Sequence, residues 1–183
     1  MNTSSELIAQ IDMQLSILME IRSIFPTLTI EMVGKNSYFT APYYENSGYK
    51  REIMLSSPIT LAYIEKQDTI GRWVNQSFII RLCAILERHC VIPNESDGKI
   101  NQEVEGWEEV ELIRRIRNKL AHKNGEYNPE DTDDRKLYEI IVERFQLNVE
   151  KPAEAKGFPI PIDTVLIPLS IGCKKYIEQI LKS

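Results

Sequence analysis

The chain has 183 residues, of which 43% are hydrophobic and 27% charged, and its formal net charge is −5. That length suits one domain around a single core, and the apolar residues form no run of about 18 that could span a bilayer. The acidic balance argues against a broad basic surface that coats nucleic acid, because neutralising phosphates needs many Lys and Arg on one side, but it leaves room for a local basic site.

The first residues, Met1-Asn2-Thr3-Ser4-Ser5-Glu6, carry neither a basic region nor an apolar stretch with a small-residue cleavage site, so a cytoplasmic location and no membrane are expected. Residues 4–24 place Leu7, Ile8, Ile11, Leu15, Leu18, Met19 and Ile21 at three- and four-residue spacing behind Ser4 and Ser5, which predicts an amphipathic helix closed before Pro26. From Leu28 to Met32 apolar and polar residues alternate, Gly34-Lys35-Asn36 can turn and Ser37-Tyr38-Phe39-Thr40 can run back, so a small hairpin is expected. Bases could stack on the aromatic group Tyr38, Phe39, Tyr43, Tyr44 and Tyr49, but packing onto the domain is the commoner role for such rings.

A second helix is expected to begin with Ser57 as cap and Pro58 as first residue, with a break near Asp68 to Gly71. Trp73, Val74, Phe78, Ile79, Leu82, Cys83 and Leu86 belong to its broad apolar face. Cys83 and Cys90 lie two turns apart on one face, which suits a core. With Cys173 the cysteines are odd in number and form no CxxC pair, and with only two histidines a closed zinc site is poorly supplied, so free thiols, no metal and no cofactor are expected. His89 falls at the end of this helix, where imidazole suits the last carbonyls.

The polar loop 93–98 precedes a third helix from Trp107 to about Lys123, stopped by Asn124-Gly125. An acidic loop, 126–134, then offers capping residues to a fourth helix with Leu137, Ile140, Ile141 and Phe145 on one face. The run Phe158-Pro159-Ile160-Pro161-Ile162 should be extended, because each proline pushes its predecessor out of the α region. A last helix fits residues 165–182, with Pro168 in its first turns. The expected fold is therefore mainly α, a bundle of about five helices with at most a small β-hairpin.

One stretch of the third helix concentrates the chemistry: Arg114-Arg115-Ile116-Arg117-Asn118-Lys119-Leu120-Ala121-His122. At about 100° per residue Ile113, Ile116 and Leu120 make a core stripe, while Arg114, Asn118 and His122, four apart, line up roughly opposite. Arg117 sits on the border, about 140° from His122, so the two converge only through the reach of the arginine or an unwound end at His122. A guanidinium presents a rigid fork of donors to phosphate, and imidazole exchanges a proton near neutral pH. Together with an amide they form a kit for attack on a phosphodiester without metal. Helix electrostatics explain much of the same pattern: Glu103, Glu105, Glu108, Glu109 and Glu111 come early, Arg114, Arg115, Arg117, Lys119 and Lys123 late, and Glu111 and Arg115 are spaced to pair.

Arg117-Asn118-Lys119-Leu120-Ala121-His122 resembles the signature of HEPN domains: arginine, an adjoining polar residue, a short spacer, then histidine at a helix end. The resemblance covers a core from about residue 57 to 145 within a single domain spanning 1–183, with the first and last helices packed on it. It implies a metal-independent endoribonuclease in a toxin or defence role, acting as a homodimer whose two motifs meet. It makes Arg117 and His122 catalytic and Asn118 their support. Arg114 is then a candidate for the neighbouring RNA phosphate. A neutralising antitoxin or regulatory protein is a possible partner, and the alternative is a non-catalytic HEPN-like dimer that binds RNA, nucleotide or protein.

Overall fold

The structure, a computed structural model, describes residues 4–40, 51–93, 99–122, 127–149 and 151–181; the side chain of His122 lies outside that description. The described residues form a mainly α fold with five helices and one small sheet. In order these are α1 (Ser4–Ile24), a 3-10 turn (Ile30–Met32), β1 (Ser37–Thr40), β2 (Arg51–Met54), α2 (Leu61–Arg88), α3 (Trp107–His122), α4 (Thr132–Phe145), a π turn (Ile162–Leu166) and α5 (Ile167–Ile180). No described helix is long and apolar enough to cross a membrane. The chain divides into two compact units, residues 15–74 and residues 1–14 with 75–183.

In the unit 15–74, β1 and β2 pair antiparallel, with Ser37 opposite Met54 and Thr40 opposite Arg51. A hairpin is therefore present, but its partner strands differ from those the alternation at 28–32 suggests. Lys35 and Asn36 explain why: their carbonyls accept from the amides of Ile59 and Leu55, both at 2.8 Å, and Gly34 N–H donates to Ile59 O at 2.9 Å. The chain leaving Gly34, at φ 86°, is thus tied to residues 55–59, and Ile30–Met32 closes as a 3-10 turn instead. Leu28, Tyr38, Ile59 and Ile64 form the core of this unit, with Met32, Ile53, Leu55 and Tyr63 against it. Tyr38 packs inward as expected, Phe39 is 62% exposed, and Tyr43, Tyr44 and Tyr49 lie outside the described residues.

The same ties delay α2. Because Ile59 is held by both its amide and its carbonyl, Pro58 stays in the loop and the helix begins at Leu61, with Thr60 Oγ1 accepting from Tyr63 N–H at 3.1 Å as its cap. No break follows at Asp68 to Gly71. Gly71 serves packing rather than bending: the Arg22 guanidinium occupies the space a Cβ would take. Trp73 is 67% exposed, off the buried stripe of Val74, Phe78, Ile79 and Leu82.

In the other unit, α3 packs chiefly on α5. Two glycines bring these helices together. Gly106, at φ 90°, faces the Gly172 carbonyl so closely that a Cβ would overlap it, and a Cβ on Gly172 would overlap the Glu109 side chain. Val110, Ile113 and Ile116 are fully buried, each side chain worth about 2 kcal/mol of removal from water. Asp131 caps α4 by accepting from the amides of Asp133 and Asp134. The face of α4 is narrower than the spacing suggests: Leu137, Tyr138 and Ile141 are buried while Ile140 is exposed. Phe158, Ile160 and Ile162 alternate inward along the proline-rich run, and Asn75 Nδ2 donates to Ile160 O at 3.0 Å. Pro168 occupies the first turn of α5.

Candidate functional site

α3 places the stretch 114–122 on its last two turns. Ile113, Ile116 and Leu120 are buried as their spacing requires, and this fixes the rotation of the helix. Arg117 is therefore carried at the edge of the buried stripe, with 34% of its side chain exposed. Its guanidinium is held on two sides: Nη1 donates to Asn118 Oδ1 at 3.0 Å and Nη2 to Glu87 Oε2 at 3.4 Å. The other carboxylate oxygen of Glu87 accepts from the Cys83 thiol, with Sγ 3.7 Å away. Burial, and then the charge of Glu87, push that thiol up to about 12 against the opposing pull of Arg117 and Arg114. Cys83 thus stays protonated and donates, and Cys83, Glu87, Arg117 and Asn118 form one connected polar chain across α2 and α3.

Glu87 stands four residues after Cys83, one turn further along the same helix, and α2 ends soon after it. Cys90 takes a left-handed φ of 54°, and the amides of Cys90 and Val91 donate back to the carbonyls of Glu87 and Leu86 at 3.0 and 2.9 Å. The helix closes after Arg88, with Glu87 in its last turn. This closure also overturns the pairing of Cys83 with Cys90 on one core face: Cys83 is buried and Cys90, swung out of helical phase, is exposed. His89 sits at this end as expected, with Nε2 3.3 Å from Gln10 Oε1.

Two further charges of the stretch, Arg114 and Lys119, are engaged locally. Arg114 Nη2 pairs with Glu111 Oε2 at 2.8 Å, so Glu111 holds the residue three along and not Arg115. Lys119 Nζ reaches the fully buried Asp134 carboxylate at 2.9 Å, and Asp134 Oδ2 accepts from Asn128 N–H at 3.0 Å. Lys119 is thereby a structural residue that ties α3 to the start of α4. The backbone of α3 stays helical through His122, so the unwound end that would swing this residue toward Arg117 is not found there; Asn124 and Gly125 lie outside the described residues.

Far along α3, a cavity of about 580 Å³ is lined by Trp107, Glu109, Arg144, Pro168, Ile171 and Lys175 among others. Its charges satisfy one another: Arg144 bonds Glu108 at 2.6 Å and also Glu109, and Lys175 bonds Glu105 at 2.7 Å. Among the described residues no His, Cys, Asp and Glu side chains cluster as a metal-binding group. The sequence singles out Arg114, Arg117, Asn118 and His122; the structure joins Arg117 to Asn118, gives Arg114 to Glu111 and adds Glu87. No family model matches the chain, and neither a curated protein nor a solved structure does.

Proposed function

We propose that this protein is a metal-independent endoribonuclease of HEPN type in a toxin or defence role, working as a cytoplasmic homodimer. Arg117 would bind the scissile phosphate and stabilise the charge that grows on it, His122 would move the proton as the RNA 2′-hydroxyl attacks, and Asn118 would support Arg117. Arg114 would contact a neighbouring phosphate. The observation that carries this reading is the half-exposed Arg117 guanidinium, braced by Asn118 and Glu87 one and a half turns before His122 on the same helix. A braced fork at a helix end suits phosphate recognition, since less side-chain entropy is lost per bond formed. Pairing of two copies would turn a shallow helix face into a cleft and bring Arg117 of one copy toward His122 of the other.

The test is RNA cleavage in EDTA, with Arg117→Ala and His122→Ala each abolishing it while the oligomeric state is unchanged. Cleavage that survives both substitutions, or that requires added Mg²⁺, refutes the proposal. The Glu87 carboxylate beside Arg117 favours a second reading, in which the arginine already has its counter-ion and the dimer binds RNA, nucleotide or an antitoxin-like protein without turnover. Saturable RNA binding with no cleavage in any buffer would select it.

A further inference from the structure

The last turn of α2 brings to the candidate site a carboxylate that no spacing in the chain announces. A guanidinium has five N–H donors, and Arg117 commits one Nη to Asn118 at 3.0 Å and the other to Glu87 at 3.4 Å. The two acceptors stand on different supports. Asn118 is the next residue on α3 and moves with Arg117, whereas Glu87 belongs to α2 and is fixed by its own bond from the buried Cys83 thiol at 3.7 Å. Of these two acceptors, only Glu87 ties the guanidinium to a second element. A long arginine side chain gripped from its own helix alone would still turn about its terminal torsions. Gripped from two helices, it has one orientation.

We infer that Glu87 is a positioning residue: its carboxylate, anchored by Cys83, sets the plane of the Arg117 guanidinium and leaves the N–H groups not given to Asn118 or Glu87 aimed at the phosphate of the substrate. This rests on the ribonuclease reading of Arg117. It differs from the simplest view of an acid beside a phosphate-binding arginine, in which Glu87 competes with RNA and weakens the site. The two views predict opposite signs. A competitor, once removed, tightens RNA binding and leaves turnover unchanged. A positioning group, once removed, lets the guanidinium wander; a misplacement of about 1 Å can cost about a hundredfold in rate, and the loss falls on the step at which charge develops.

Two measurements on the full-length protein decide it. In RNA cleavage with EDTA present, Glu87→Ala should lower kcat at least about tenfold with KM within about threefold. Glu87→Gln, which keeps an oxygen acceptor at the same reach, should restore most of kcat. An unchanged kcat in Glu87→Ala with a lower KM overturns the inference in favour of competition. Independently of activity, ¹⁵N relaxation of the Arg117 Nε–H should report an ordered side chain in the wild type and in Glu87→Gln, and a mobile one in Glu87→Ala. Equal mobility in all three overturns the inference. Should the wild type cleave no RNA, the ribonuclease reading falls alone, and the relaxation data still determine whether Glu87 positions Arg117.

Discussion

Gly106→Ala should cost more than Gly172→Ala, although the two glycines face the same crossing of α3 and α5. At Gly106 the backbone stands at φ 90°, where a side chain costs about 1–2 kcal/mol. The new methyl would also overlap the Gly172 carbonyl oxygen, which belongs to a helix backbone and cannot step aside. Overpacking of that kind adds about 1–3 kcal/mol, so a loss of about 2–5 kcal/mol is expected. At Gly172 the obstacles include the Glu109 Cβ, which moves only with the α3 backbone, so overpacking of about 1–3 kcal/mol applies there too. Alanine inside α5 recovers up to about 1 kcal/mol of helix propensity and meets no positive φ, and the net loss should be about 0–3 kcal/mol. Urea unfolding followed by tryptophan fluorescence measures both. With a slope of about 2 kcal/mol per molar, Gly106→Ala should lower the midpoint by about 1–2.5 M and Gly172→Ala by about 1.5 M at most. If the order were reversed, or both midpoints stayed within about 0.3 M of the wild type, the close approach of the two helices at Gly106 would be wrong.

Three further outcomes follow from the same contacts. Lys119→Met should destabilise the protein by about 3 kcal/mol, because it strips the cation from the fully buried Asp134; a midpoint unchanged in urea would remove Lys119 from its structural role. In the native state a thiol reagent should modify the exposed Cys90 and spare Cys83 and Cys173, all three reacting only in denaturant; fast native labelling of Cys83 would contradict its burial. Stability should fall under alkaline conditions. Burial first and Glu87 second raise the folded Cys83 thiol from 9.0 to about 12, and burial first and Tyr63 second raise Tyr38 from 10.0 to about 12. The unfolded chain therefore releases these protons earlier, so the stabilisation is complete below about pH 9 and is lost as pH rises toward 12. Urea midpoints measured from pH 7.5 to 11 should decline, less steeply in Cys83→Ala, and an identical decline in that variant would exclude the thiol.

What the sequence reveals of the fold is what local periodicity controls. The stripe Ile113, Ile116 and Leu120 is buried because an amphipathic helix has only one way to turn its apolar side inward, and the spacing of those residues states it directly. Asp131, within the acidic stretch 126–134, caps α4 for an equally local reason, although the helix starts at Thr132 inside that stretch. Contacts made at a distance were not legible. Alternation at 28–32 suggests a strand, yet Lys35 and Asn36 bond instead to Ile59 and Leu55, some twenty residues on. Trp73 looks apolar enough for the core, but the buried stripe of α2 passes through Val74, Phe78 and Leu82, and Trp73 falls outside it.

The candidate site divides along the same line. Arg117 and Asn118 are neighbours in the chain, and their contact at 3.0 Å needs only a helix. Glu87 is thirty residues earlier, and its approach depends on how far-apart parts of the chain are buried, which no motif encodes. Burying Cys83 turns Glu87, one helical turn further on, toward the same side of α2, and burying Ile113 and Ile116 carries Arg117 at the edge of the buried stripe of α3. The left-handed turn at Cys90, a residue type that does not favour it, ends the helix soon after Glu87 and takes Cys90 out of phase. Had α2 continued in phase through Cys90, that thiol would share the face of Cys83 and be buried. The exposed Cys90 is thus a consequence of the helix end, whereas Glu87 keeps helical phase with Cys83. The arginine-to-histidine spacing announces groups on one helix; the acceptor that Arg117 meets on another helix is written in no spacing.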